Sequence, residues 1–235
     1  MHCSSVLLMI CILTRNMAQL WYGVRTILIY PMFIRSCNEK HVDSLLLCTA
    51  LGREANGVTF FFNADRYICQ WNCTFFFTTD VTNASIKWHK YEIESNGNAA
   101  INKPNTASSV YGNDYGLWSP HYATDGIIPG GGHYTFHSTF ESYPWIRTDL
   151  QEISTILFLR VYTRRDVGFR FHDVAVEVTN SSNYEQRGFY KGPGMASEVV
   201  EILCEYPTIA RYVRLKIIKG SGNSLNIPEL EIYTK

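Results

Sequence analysis

Net charge is what this sequence lacks first: 21 Lys and Arg balance 21 Asp and Glu over 235 residues. With no long-range field to draw it to nucleic acid or to an anionic membrane, its partner is expected to be neutral or recognised locally. Long apolar runs are missing too. Residues 5–13 (SVLLMICIL) and 26–34 (TILIYPMFI) fall far short of the roughly 20 that a spanning helix needs. Pro31 breaks the second run, and Arg25 and Arg35 flank it. The first has the length of a signal peptide, without a basic residue ahead of it or a small-x-small site behind. Catalytic signatures are absent as well: there is no GxSxG, HExxH or P-loop, and PGGGH and KGPGM neither follow a strand nor open a helix. No catalysis is expected.

Cysteine is scarce beyond the first third, where Cys3, Cys11, Cys37, Cys48, Cys69 and Cys73 lie and after which only Cys204 follows. Sequons stand at Asn72, Asn83 and Asn180. Together these point to an oxidising compartment and a secreted protein, with one thiol of the odd total left over.

What is there is aromatic and strand-forming. Aromatics reach 14%, with 15 Tyr, which suits strands and sugar-binding surfaces. Period-two patterning marks Ile153–Tyr162, Val174–Val178, Arg211–Ile218 and Glu229–Tyr233; Val213, Leu215 and Ile217 share one face, Arg214 and Lys216 the other. No helical period competes after residue 95. The reading is mainly β: a carboxy-terminal antiparallel β-sandwich (jelly roll) over 95–235, preceded by a small α+β module over 37–94 and a leader, signal or unstructured, over 1–36. The polar stretch ESNGNAAINKPN supplies the boundary. In the first module, Val58–Phe62 and Thr74–Thr79 are short apolar runs.

The stretch SLLLCTALGREANGVTFFFNADRYICQW resembles the core of PAN/apple modules, with Cys48 and Cys69 matching and Gly52 and Asn56 standing where further cysteines usually occur. At least one bridge of that pattern is therefore missing. Over residues 98–235, the blocks NAAINKPNTASSVYG, ATDG, PWIRTDL, ARYVRL and PELEIY resemble, in order, the F-type lectins (fucolectins) of the discoidin-like superfamily. That family's sugar motif is His, 26 residues, Arg, one residue, Asp, four residues, then Arg or Lys. Here His137 is followed after 26 residues by Arg164, then Arg165, Asp166 and, after only three more, Arg170.

The resemblance implies a sugar site of His137, Arg164 and Arg170 for fucosylated glycans on cell or microbial surfaces. Guanidinium groups offer rigid donors to an axial hydroxyl and a ring oxygen, and an imidazole adds one directional contact. Asp166 is expected to orient Arg164, and Tyr134, Phe136 and Phe169 to wall the fucose methyl. Val167 and Gly168 stand where relatives carry paired cysteines. A structural calcium ion (Ca2+) is implied at Asp125 and Glu229, with the backbone oxygen of Ile127. His133 and His137 are four apart, but Gly130–Gly132 places them in a loop, which disfavours a histidine metal site. One shallow site gives an affinity of about millimolar, so a homo-oligomer or clustered ligands are expected. The shortened interval and missing cysteines also suit a second reading, a discoidin-type adhesion module for protein or phospholipid that has lost its sugar site.

Overall fold

A computed structural model of the chain describes residues 22–25, 32–55, 57–77, 88–129 and 131–235. Cys3, Cys11, the run 5–13, Pro31, Asn56 and Asn83 lie outside them. Five strands and a helix form the amino-terminal layer: β1 (Tyr22–Arg25), β2 (Met32–His41), α1 (Leu45–Glu54), β3 (Thr59–Asn63), β4 (Ile68–Phe77) and β5 (His89–Ile93). Ser44 caps α1, its hydroxyl accepting from the Leu47 amide at 3.3 Å. Cys48 on α1 is bonded to Cys69 on β4, and Cys37 on β2 to Cys73 on β4. Gly52 lets the helix sit close to the sheet: a Cβ there would stand 3.1 Å from the Phe60 ring.

The region expected as a leader over 1–36 needs correction at its end. Tyr22–Arg25 pairs with β5, and β2 begins at Met32, in register with Phe77 of β4. The apolar run is thus continued into a sheet strand.

The rest of the chain is an antiparallel sandwich of β6 (Asn105–Ala107), β7 (Phe136–His137), β8 (Trp145–Tyr162), β9 (Val174–Thr179), β10 (Glu185–Tyr190), β11 (Glu198–Ile217), β12 (Asn226–Ile227) and β13 (Glu229–Thr234). The four segments with period-two patterning fall within strands, except that Ile218 lies one residue past the end of β11. Two of them are parts of much longer ones: β8 and β11 pair along 18 and 20 residues, with register shifts between Leu203 and Thr208 and between Ala210 and Tyr212. Such irregularities bend a strand so that its two ends serve different layers. Val213, Leu215 and Ile217 are buried and Arg214 and Lys216 half-buried, as their alternation requires. The only α-helix described in this half is the single turn α2 (Tyr115–Trp118).

The two parts share one sheet. Phe75 and Phe76 of β4 pair with Val199 and Glu198 of β11, and Val58 and Ile93 pack on Leu157, Phe158 and Tyr233. The polar stretch near Ser95 is a connection but not a free linker, because Asn96 and Ala99 donate to the carbonyls of Thr234 and Ile232. A buried charge cluster crosses the seam: Arg160 on β8 meets Glu92 of β5 and, at 2.7 Å, Glu201 of β11, while Lys90 lies 2.6 Å from Glu92. Burial alone would raise the Glu92 carboxyl, but Arg160 and Lys90 outweigh it and hold it below its ordinary value.

Candidate functional site

At one rim of the sandwich, three loops and two short strands meet around His137. β7 and β12 pair with His137 opposite Asn226. Consecutive strand residues point to opposite faces, so Phe136 enters the core, fully buried, while His137 faces the rim. This corrects two expectations: Phe136 is not a wall of the site, and His137 sits on a strand rather than in the glycine loop.

The His137 ring lies flat on Tyr111, centroids 4.5 Å apart with 6° between planes, and meets Trp118 edge-on at 5.1 Å. Tyr111 comes from the turn before α2, and Trp118 is the last residue of α2. Asp114 holds that turn, its carboxylate accepting from the Gly116 and Leu117 amides at 2.9 and 3.2 Å. Trp118 also receives Arg164, whose guanidinium carbon stands 5.6 Å from the ring. Asp166 grips Arg164 with both oxygens, at 2.9 Å to Nε and 2.6 Å to Nη2. The glycine run passes directly over this pair: a Cβ on Gly132 would be 2.7 Å from Arg164 Nη2.

Arg170 completes the group from a 3-10 turn, Gly168–Arg170. Its Nη1 lies 3.5 Å from His137 Nε2 and donates to Asn226 Oδ1 at 3.2 Å. That tight turn offsets the missing residue before Arg170, since three residues coiled in a turn bring the side chain round to the imidazole. Burial first, then the positive charges of Arg164 and Arg170, press the His137 pKa from 6.5 down to about 4, with Asp166 opposing. The ring is therefore neutral at physiological pH, and its buried Nδ1 has no hydrogen-bond partner among the described residues.

Tyr134 and Phe169, the other expected wall residues, are both exposed. Tyr134 packs edge-on to Tyr122 at 5.7 Å. The aromatic groups that pack on His137 and Arg164 are Tyr111 and Trp118; Phe140 lies outside that group, with Arg170 over its ring at 5.1 Å. Sequence reasoning missed them and Asn226. The one available signal was the aromatic density of YGNDYGLW in a stretch without strand periodicity.

A second corner joins the ATDG turn to β13. Glu229 is buried; its Oε2 accepts from the Gly126 amide at 3.3 Å, and its Oε1 has no partner among the described residues. Burial, then the negative charge of Asp125, pushes its pKa up to about 9. Asp125 Oδ1 is 2.8 Å from the Ile127 amide, and Ile127 itself is exposed. Among the described residues, no three His, Cys, Asp or Glu side chains cluster as metal ligands. Cys204 is a buried free thiol, and no described helix is long and apolar enough to cross a membrane. Of the sequons, Asn72 and Asn180 are exposed, and Asn180 also bridges the Ile209 carbonyl and the Arg211 amide.

Residues 104–230 match the F5/8 type C domain family. No curated protein matches the chain. Among solved structures, the lectin domain of lectinolysin complexed with Lewis B antigen is similar at 24% identity and a TM-score of 0.51, covering 60% of this chain and 99% of that one. An F-lectin (fucolectin) from striped bass (Morone saxatilis) serum is similar at 17% identity and 0.51, covering 69% of this chain and 61% of that one. A Clostridium perfringens domain, CpGH89CBM32-5, in complex with GalNAc-beta-1,3-galactose, is similar at 16% identity and 0.50, covering 59% and 99%. At these identities the likeness is one of fold.

Proposed function

Because the chain belongs to the F5/8 type C domain family, we propose that it is a secreted, non-catalytic protein that binds fucosylated glycans through His137, Arg164 and Arg170. The observation that carries this reading is the meeting of those side chains from positions distant along the chain, His137 and Arg164 at Trp118 and Arg170 at His137. Arg164, pre-oriented by Asp166, and Arg170, pre-oriented by Asn226, offer fixed donors to an axial hydroxyl and a ring oxygen. Neutral His137 supplies one directional hydrogen bond, and the Tyr111–Trp118 corner supplies an apolar wall for a methyl group. Charge-assisted bonds of this kind are each worth roughly 1.5–3 kcal/mol, and a sugar lacking the matching hydroxyl leaves them unpaired. The complexes of the lectinolysin lectin domain with Lewis B antigen and the fucolectin name of the striped bass protein support the same ligand class.

The reading includes a structural Ca2+ ion. The donors present fit it: Glu229 offers a buried, unpartnered oxygen and Asp125 a second carboxylate, with the Ile127 carbonyl and water to complete an oxygen shell. Bound there, the ion would supply charge neutralisation and tie the 124–127 turn to β13, leaving recognition to the rim residues. Two disulfides and the exposed sequons favour an extracellular setting. The α1 helix bonded through Cys48 to a small sheet is what supports the PAN/apple likeness of residues 37–94. Weak single-site affinity makes avidity through homo-oligomers or clustered glycans part of the reading.

A specific observation keeps the adhesion reading in view: Leu46 and Leu47 lie exposed in the first turn of α1. A glycan array separates the two. Wild-type protein in calcium should bind fucosylated glycans, and both EDTA and His137→Ala should cut that binding at least about tenfold, with circular dichroism unchanged. Binding indifferent to fucose, or untouched by His137→Ala, would leave the adhesion module standing instead.

A further inference from the structure

The arginine whose guanidinium reaches His137 Nε2 also holds an exposed aromatic ring outside the proposed clamp. Phe140 is 56% exposed, with the Arg170 guanidinium carbon 5.1 Å from its centroid. The same guanidinium reaches His137 Nε2 and Asn226 Oδ1, at 3.5 and 3.2 Å. One planar cation therefore stands between the clamp and an aromatic surface beside it. A cation over one face polarises the ring and fixes its tilt while leaving ring surface open, which suits the C–H face of a pyranose.

The loop that presents Phe140 is rigid by construction. Glu141 Oε1 accepts from the hydroxyls of Ser108 and Ser109, each at 2.6 Å. Its backbone exchanges two hydrogen bonds with Asn223, both at 2.9 Å. The Thr139 amide donates to Ser109 Oγ at 2.9 Å. A large exposed apolar residue on a loop tied down at this many points loses little conformational freedom when a ligand stacks on it.

We infer that Phe140 forms a second, aromatic subsite for the sugar residue bonded to fucose, so that the preferred ligand class is a fucosylated oligosaccharide rather than free fucose. The inference rests on the proposed function and extends it. Arg170 couples the two subsites, because a first ring held at His137 leaves its neighbour beside the guanidinium and over the phenyl ring.

Isothermal titration with free L-fucose and with a fucosylated trisaccharide tests this, using wild type, Phe140→Leu and Phe140→Ala. Wild type should bind the trisaccharide about tenfold more tightly than fucose. Both variants should lose that advantage and keep their fucose affinity within about twofold. Phe140→Leu preserves apolar bulk beneath Arg170, so it separates loss of the ring from disturbance of the guanidinium. An advantage that survives in Phe140→Leu, or an equal loss for both ligands in it, overturns the subsite. Wild type that binds neither ligand overturns the fucose reading itself.

Discussion

Among the described residues, the amino-terminal layer encloses a core of six buried residues, two of them joined by a disulfide, whereas the sandwich gathers 23, one of them a cysteine that stays free. A module that small cannot bury enough apolar area to offset its chain entropy, so covalent bridges and a neighbour's surface must help. The larger core needs neither. The seam shows the cost of using a neighbour: Arg160, Glu92, Glu201 and Lys90 are taken out of water together and are tolerable only as a set. The contrast teaches that the layer is bound to the sandwich thermodynamically, while the sandwich should stand by itself.

The sharpest way to break that comparison is Arg160→Ala. It takes the cation from Glu201 and leaves Glu92 with Lys90 alone, and urea unfolding should show a loss of about 3–5 kcal/mol; a loss below about 1 kcal/mol would mean that the seam rearranges freely. Next comes reduction of both bridges. Closing chain separations of 36 and 21 residues contributes roughly 3–4 kcal/mol each. Hydrogen exchange should then show protection lost over residues 37–77 and 88–94 but kept over 98–129 and 131–235. Loss of protection throughout would show that the sandwich depends on the layer after all.

The Glu229 corner and the His137 rim differ in the sign of their response to pH, since burial shifts an acid up and a base down. Glu229 is raised from 4.5 to about 9 in the metal-free protein. Its share of stability is therefore full below pH 4.5 and lost as pH rises through about 9. The melting temperature in EDTA should fall across that window, and millimolar Ca2+ should restore it by about 5 °C or more; Glu229→Gln should remove both the slope and the calcium response. His137 is lowered from 6.5 to about 4, so its contribution is full above pH 6.5 and lost as pH falls towards 4. Fucose titrations should stay flat from pH 8 to about 5 and weaken only near 4. Weakening already at pH 6.5 would place the imidazole in an ordinary solvated setting.

Much of the sandwich was legible because half-burial writes a period of two into strands such as Arg211–Ile218, and a register error would turn Val213, Leu215 and Ile217 outward. The joining of such segments into β8 and β11 was not, since a bend in the ladder carries no composition of its own. His137, Arg164 and Arg170 could be named from one interval pattern. Their aromatic surroundings could not: Tyr111 and Trp118 reach His137 and Arg164 from another segment, and Phe140 flanks Arg170 from outside. Phe136 went wrong for a local reason, because nearness in sequence to His137 on a strand means the opposite face.

By itself the sequence determined the sheet-forming segments and the lack of any long-range charge attraction, because these follow from local periodicity and composition, while the resemblance to the F-type lectins supplied the candidates for a clamp. Only the tertiary structure decided that β4 continues into the sandwich sheet, that Arg170 reaches His137 despite a shorter interval, and that one glutamate is held charged at the seam by two cations while another, buried near Asp125, is pushed towards its neutral form. Those outcomes depend on which groups meet after distant segments pack. The electrostatics of a buried charge is set by its neighbours in space and not by those along the chain.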